Sequence, residues 1–143
     1  MLVLAIKTGF FKAIKTVLML LKIVLPVYAI VVIFRYSPGM PFLQDIFSPA
    51  MKLFHLPGEG IIPIITGAFT DEYGTIAVLN QLSLTTAQIT TVAMIVLVAH
   101  TIPVEAAIAQ KIGLNFVKFT ILRIIMAICI GMLIGWLGWV LAW

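Results

Sequence analysis

The stretch Ile124 to Trp143 reads IIMAICIGMLIGWLGWVLAW, twenty consecutive residues without a charge. As a helix it would be about 30 Å long, the thickness of a bilayer's hydrocarbon core. A soluble chain of 143 residues cannot bury that much apolar surface in its own core. The rest of the sequence agrees: 63% of residues are hydrophobic and only 10% are charged, against a usual charged share of about 25%. The expectation is a single small, all-α, polytopic helical membrane protein. Within this helix, Gly131 and Gly135 are spaced so that another helix can approach closely. Trp136, Trp139 and Trp143 recur at helical spacing and suit an interfacial belt. Cys129 is the single cysteine. It forms no intramolecular disulfide or cysteine-based metal site and reads as a packing residue.

Moving toward the start of the chain, Thr85 to Ala99 reads as a span that ends in His100-Thr101-Ile102-Pro103-Val104-Glu105. Proline removes a backbone donor and disfavours helix just before it. A break is therefore expected at about 100–105, followed by a half-helix from Glu105 to about Gly113. Residues 61–84 are the unusual part. Ile61 to Thr70 is uncharged but spans about 15 Å as a helix, half a bilayer. The polar turn Thr70-Asp71-Glu72-Tyr73-Gly74 follows, and a second short helix is expected over Thr75 to Leu82. Two half-length helices around a polar turn read as a re-entrant hairpin, with Pro63 and Gly67 as further breaks. A single tilted span with a polar interruption is the alternative.

Val17 to Phe34 is a further candidate span, carrying only Lys22 and a kink at Pro26. Residues 1–22 read as an amphipathic helix, with Lys7, Lys12, Lys15 and Lys22 inside one arc of roughly 140°. It either docks on anionic lipid or simply supplies a positive end to the first span. The lysines interrupt the apolar run too often for a signal peptide. Residues 35–60 read as a connection with a short interfacial helix broken near Pro49. The expected organisation is residues 1–22 as the amphipathic helix and residues 23–143 as one transmembrane domain. That domain would hold three full spans, the hairpin at about 61–84 and the broken helix.

With this topology, Lys7, Lys12, Lys15, Lys22, Lys111, Lys118 and Arg123 fall on one side, and Arg35 and Lys52 on the other. The positive-inside rule then places the first residues in the cytoplasm. The net charge of +4 is read as membrane-end charge. There are no basic clusters interleaved with aromatics, so nucleic-acid binding is not expected.

Charges inside a membrane are costly and point to a site. Asp45 reads as solvated. Glu59, Asp71 and Glu72 suit helix N-terminal capping, or a cavity that attracts a polar solute. His100 precedes the helix break, with Glu105 five residues on. Such a break frees carbonyl groups before it and N–H groups after it, which can hold a ligand. Asn80, Gln81, Gln88, Thr90, Thr91 and Gln110 add hydrogen-bonding groups, although polar residues also serve as interhelical glue. The candidate substrate-binding set is Glu59, Thr66, Asp71, Gln81, Gln88, His100 and Glu105. No metal triad, GxSxG, phosphate loop or Cys/His pair is present, and no catalytic residue, metal or cofactor is expected.

The run Pro57-Gly58-Glu59-Gly60-Ile61-Ile62-Pro63-Ile64-Ile65-Thr66-Gly67 resembles the start of the nucleoside recognition, or Gate, domain. Ala99-His100-Thr101-Ile102-Pro103-Val104-Glu105 resembles that family's second helix break. The resemblance covers about residues 55–140. It implies a membrane pore or substrate-gating module, related to domains of concentrative nucleoside transporters, ferrous iron transport protein B and spore maturation proteins A and B. A prokaryotic-type plasma membrane is the implied location, and a small polar solute such as a nucleoside the implied cargo, with a coupling ion unspecified. Cys129 lies away from the breaks, which argues against ferrous iron. One copy offers little wall for a path, so a dimer is expected, homodimeric or with an oppositely oriented partner, the Gly131/Gly135 face being a candidate contact. The competing readings are a non-transporting scaffold or assembly partner and a divalent-cation permease.

Overall fold

The computed structural model describes residues 2–35 and 37–141. Among them every regular element is helical: α1 (Leu2–Arg35), α2 (Gly39–Lys52), a single 3-10 turn (Gly58–Gly60), α3 (Ile61–Phe69), α4 (Glu72–Leu79), α5 (Thr86–Ala99), α6 (Ile102–Lys111) and α7 (Phe116–Leu141).

Helix α1 runs for 34 residues through residue 22 and through Pro26. It unites the expected amphipathic segment and the first candidate span in one rod. Helix α2 continues through Pro49 to Lys52, so the break expected there does not occur. Proline deletes one intrahelical bond, to the carbonyl four residues back, and here that residue is the exposed Asp45.

Helix α3 likewise runs unbroken through Pro63 and Gly67. Pro63 lies in its first turn, where a missing N–H leaves no intrahelical bond unmade. The chain instead turns at Thr70 and Asp71, and α4 starts at Glu72, three residues before the expected Thr75. The cause is a cap: Asp71 Oδ1 accepts from Gly74 N at 2.8 Å, satisfying a first-turn donor. Helix α5 opens on a capping box in which Thr85 and Gln88 each bond the other's backbone. It stops at Ala99, and the expected break narrows to two residues. His100 is extended, Thr101 is left-handed with φ 44°, and α6 resumes at Ile102 with Pro103 in its first turn. The helix thus restarts before Glu105 because proline, harmful inside a helix, is favoured at its beginning.

Helices α5 and α7 pack along one another and α4 packs on α1. The core joins Val92, Ile95, Val96 and Ala99 of α5 to Ala127 of α7, and to Met51, Phe54 and Leu56 at the end of α2. Gly135 is needed where α7 crosses the turn after α2, since a Cβ there would sit 2.2 Å from the Phe54 carbonyl oxygen. Gly131 meets Ile95 and Phe54 in the same way. The glycine face proposed as a contact for a partner is therefore filled from within the chain.

Outside this small core the surface is apolar. Ile121, Leu122, Ile125, Leu133, Trp136, Trp139 and Val140 of α7 are all more than half exposed. Leaving that area in water would cost about 25 cal/mol per Å², which lipid removes. Thr86–Lys111, which contains the α5–α6 break, and Phe116–Leu141 are each long and apolar enough to cross a membrane. Trp143 of the expected belt lies outside the described residues.

Candidate functional site at the helix break

The last carbonyls of α5 have lost the next turn, whose N–H groups would donate to them. Arg123, reaching from α7, replaces it. Its Nε donates to the Val98 carbonyl at 2.9 Å and Nη2 to the His100 carbonyl at 3.4 Å. Its buried Nη1 pairs with Glu105 Oε2 in the first turn of α6. One planar guanidinium therefore ties both sides of the interruption, a task that suits its fixed fork of donors.

His100 occupies the gap itself. Its Nδ1 donates to the Leu97 carbonyl at 3.0 Å. Its Nε2 faces two carboxylates, Glu105 Oε1 and Glu72 Oε1, each at 3.4 Å. Acceptors thus surround both ring nitrogens, and each nitrogen that carries a proton has one to donate to. Glu72 is the outermost member, with a side chain 48% exposed against 13% for Arg123.

Glu72 is the first residue of α4, so the His100 contact joins the α3–α4 pair to the break. A second link is made by backbone alone: Thr101 N donates to the Gly67 carbonyl at 3.0 Å. Gly67 lies so close to Thr75 and Val96 that a Cβ would fall 2.4 Å from Thr75 Oγ1. A cavity of about 260 Å³ opens between α4 and α5, with Glu72 on its wall and Thr75, Ile76, Leu79, Met94 and Leu97 around it.

Of the candidate substrate-binding set, only His100 and Glu105 lie in this cluster. Asp71 is occupied as the cap of α4. The Thr66 carbonyl accepts from Thr70 Oγ1 at 2.7 Å and serves the turn. Glu59 accepts from Gln44 Nε2 at 3.1 Å and ties the 3-10 turn to α2. Gln81 lies in the turn after α4 and donates its N–H to the Val78 carbonyl. Gln88 stands twelve residues before His100 on α5, about 18 Å along a helix. It lines a different cavity, of about 370 Å³, with Thr85, His55 and Trp139. Glu72 and Arg123 were not in the expected set. Glu72 is separated from Asp71 only by which of two acids takes the cap, and Arg123 carries the same signature as a membrane-end charge.

The nucleoside recognition (Gate) family model matches residues 17–115. The chain belongs to this family. The match starts inside α1 and contains the α3–α4 pair and the α5–α6 break, so Glu72, His100 and Glu105 are Gate residues by position. Arg123 lies beyond it. The chain is also 29% identical over 111 residues to a protein of Bacillus subtilis (strain 168) described as uncharacterized membrane protein YvoD. The aligned region is 78% of this chain and 34% of YvoD, so the chain spans about a third of that relative's length. No solved structure matches. Gate membership and the membrane relative agree with the apolar exterior in placing the chain in a membrane.

Proposed function

We propose that this chain is a gate module of a membrane transport or pore system for a small polar solute such as a nucleoside. The observation that carries the reading is the meeting of the α3–α4 pair with the broken helix through Glu72, His100 and Glu105. Helix interruptions and ionisable groups are expensive in lipid and are tolerated where they wall a hydrated cavity. In this reading α1 crosses the bilayer, α3 and α4 enter and return, α5–α6 cross back, and α7 crosses again. The lysine-rich side is cytoplasmic. A second unit, another copy or an oppositely oriented partner, completes the wall. The polar solute is held by Glu72, His100 and the neighbouring backbone groups, and access alternates as the units rock.

The direct test is uptake of labelled nucleosides into proteoliposomes holding the full chain, beside a working transporter as positive control. Saturable uptake lost on Glu72→Gln supports the proposal. No uptake of any nucleoside, with the positive control active, overturns it.

A second reading, a non-transporting assembly partner, is favoured by one specific observation: Glu105 and His100 are already paired, with Arg123, Glu72 and each other. Self-satisfied polar groups can act as interhelical glue. That reading requires Glu72→Gln to weaken assembly and leave binding of solute unchanged.

A further inference from the structure

The first half of α1 is not used by anything described above. Every residue from Ile6 to Leu18 is exposed, and the family match begins only at residue 17. We infer that this half docks flat on an anionic lipid surface, with its lysines against headgroup phosphates.

Length is the first argument. Helix α1 has 34 residues, about 51 Å, whereas a bilayer core takes about 30 Å. Roughly 14 residues are surplus, and they are the ones holding Lys7, Lys12 and Lys15. Two faces run along the surplus and the turn that follows. At about 100° per residue, Ile6, Phe10, Ile14 and Val17 share one side, and the lysines lie along an adjoining arc that also carries the exposed Phe11 and Leu18. Standing straight off the membrane, this segment would hold Ile6 and Phe10 in water at 65% and 63% exposure. Lying in the interface, it sinks the apolar side among acyl chains and keeps the ammonium groups at the phosphates.

Charge is the second argument. No acidic residue occurs before Asp45, and among the described residues none of these lysines has an ion-pair partner. Their complement must come from outside the chain, and an anionic leaflet presents it as a continuous sheet. Helix α1 is continuous here, so docking requires it to bend at the junction of the surplus and the spanning part, where Thr16 Oγ1 donates to the Lys12 carbonyl at 3.0 Å, a back-bond that slightly destabilises a helix.

The test uses the full chain with Cys129→Ala and Phe10→Cys, labelled with an environment-sensitive fluorophore and reconstituted into vesicles carrying headgroup-level spin-labelled lipid. Vesicles of phosphatidylcholine alone are compared with vesicles in which part of the lipid is replaced by anionic phosphatidylglycerol. Strong quenching confined to the anionic vesicles, and reversed by high salt, is expected. Lys7→Gln, Lys12→Gln and Lys15→Gln together should shift the docked-to-free ratio roughly a hundredfold, given the gain each lysine makes near such a surface. Should the triple variant fail to insert, the salt titration on the chain with all its lysines decides the same question. A label in water in both vesicle types overturns the inference, as does quenching indifferent to headgroup charge. Shielding that instead tracks protein density assigns the surface to a second copy and also overturns it. Because no solute is involved, failure here is separate from failure of the gate proposal.

Discussion

Arg123 donates through Nε to the Val98 carbonyl at 2.9 Å, and thereby closes a helix end that its own sequence leaves open. The residue sits on α7, 25 positions away, and the family match stops short of it. The broken helix is thus completed by a neighbouring helix rather than by its own turn. Replacing Arg123 by Gln strips Glu105 of its charged partner and leaves two carbonyls uncapped. Removing one partner of a buried group costs about 1–3 kcal/mol, and more for a buried ion pair. With Glu105 about a third open to its surroundings, a loss of roughly 2–3 kcal/mol is expected. Denaturant unfolding in micelles, followed by tryptophan fluorescence, measures it. Arg123→Met with Glu105→Met should recover the share due to the stranded carboxylate, since replacing both charges by apolar groups is often neutral, while the two carbonyls stay uncapped.

The two glycines of α7 should respond unequally to the same change. At Gly135 an added methyl meets the backbone of Phe54, which cannot swing aside. At Gly131 it meets the tip of Ile95 and the ring of Phe54, which can. Overpacking costs about 1–3 kcal/mol. Gly135→Ala is therefore expected near the top of that range and Gly131→Ala near the bottom. Both losses should be independent of protein concentration, because the contacts are made inside one chain. A concentration-dependent effect would return the glycine face to an intersubunit role.

Thr101 tests the backbone of the break. It holds φ 44°, a conformation disfavoured for residues with a Cβ, while its N–H is committed to the Gly67 carbonyl. Thr101→Gly keeps that N–H and removes the steric penalty of about 1–2 kcal/mol. The gain is offset by the extra freedom of an unfolded glycine, about 0.5–1 kcal/mol. The variant should be as stable as the parent or slightly more so. Thr101→Pro forbids the conformation and deletes the donor, so it should fold poorly. Melting curves of the two variants in the same detergent check the ordering.

The helices themselves were readable because their signals are local. An uncharged run long enough to span lipid announces α7, and Thr85 with Gln88 three residues on announces the start of α5. Pro103 located the break within a few residues. Its effect was misplaced by three because the same ring that ends one helix begins the next well. Pro49 and Pro63 misled for related reasons: one sits in an exposed helix and the other in a first turn. The site was harder to read because it depends on side chains brought together from four elements. His100 and Glu105 were visible as neighbours of a break. Nothing in the sequence distinguishes Arg123 from any cation at the end of a span, and Asp71 and Glu72 exchange roles on a single capping hydrogen bond. Gln88 and His100 share a candidate set in the sequence, yet twelve residues of helix hold them about 18 Å apart along its axis.

The Glu72–His100 contact is the one side-chain link between α4 and the break among the described residues, so its strength decides whether the two act together. Glu72→Gln removes the carboxylate charge and His100→Gln removes the ring, and both keep some hydrogen bonding. If α4 and the break form one unit, the double variant should lose less than the sum of the two single losses, with a coupling of roughly 0.5–2 kcal/mol expected of groups in direct contact. His100→Gln alone should cost more than Glu72→Gln, because His100 also holds Glu105 and the Leu97 carbonyl, whereas Glu72 is half exposed. The four unfolding free energies, taken under one set of micelle conditions, give the coupling directly. A value indistinguishable from zero would mean that the α3–α4 pair and the broken helix merely touch, and the joint site would have no energetic basis.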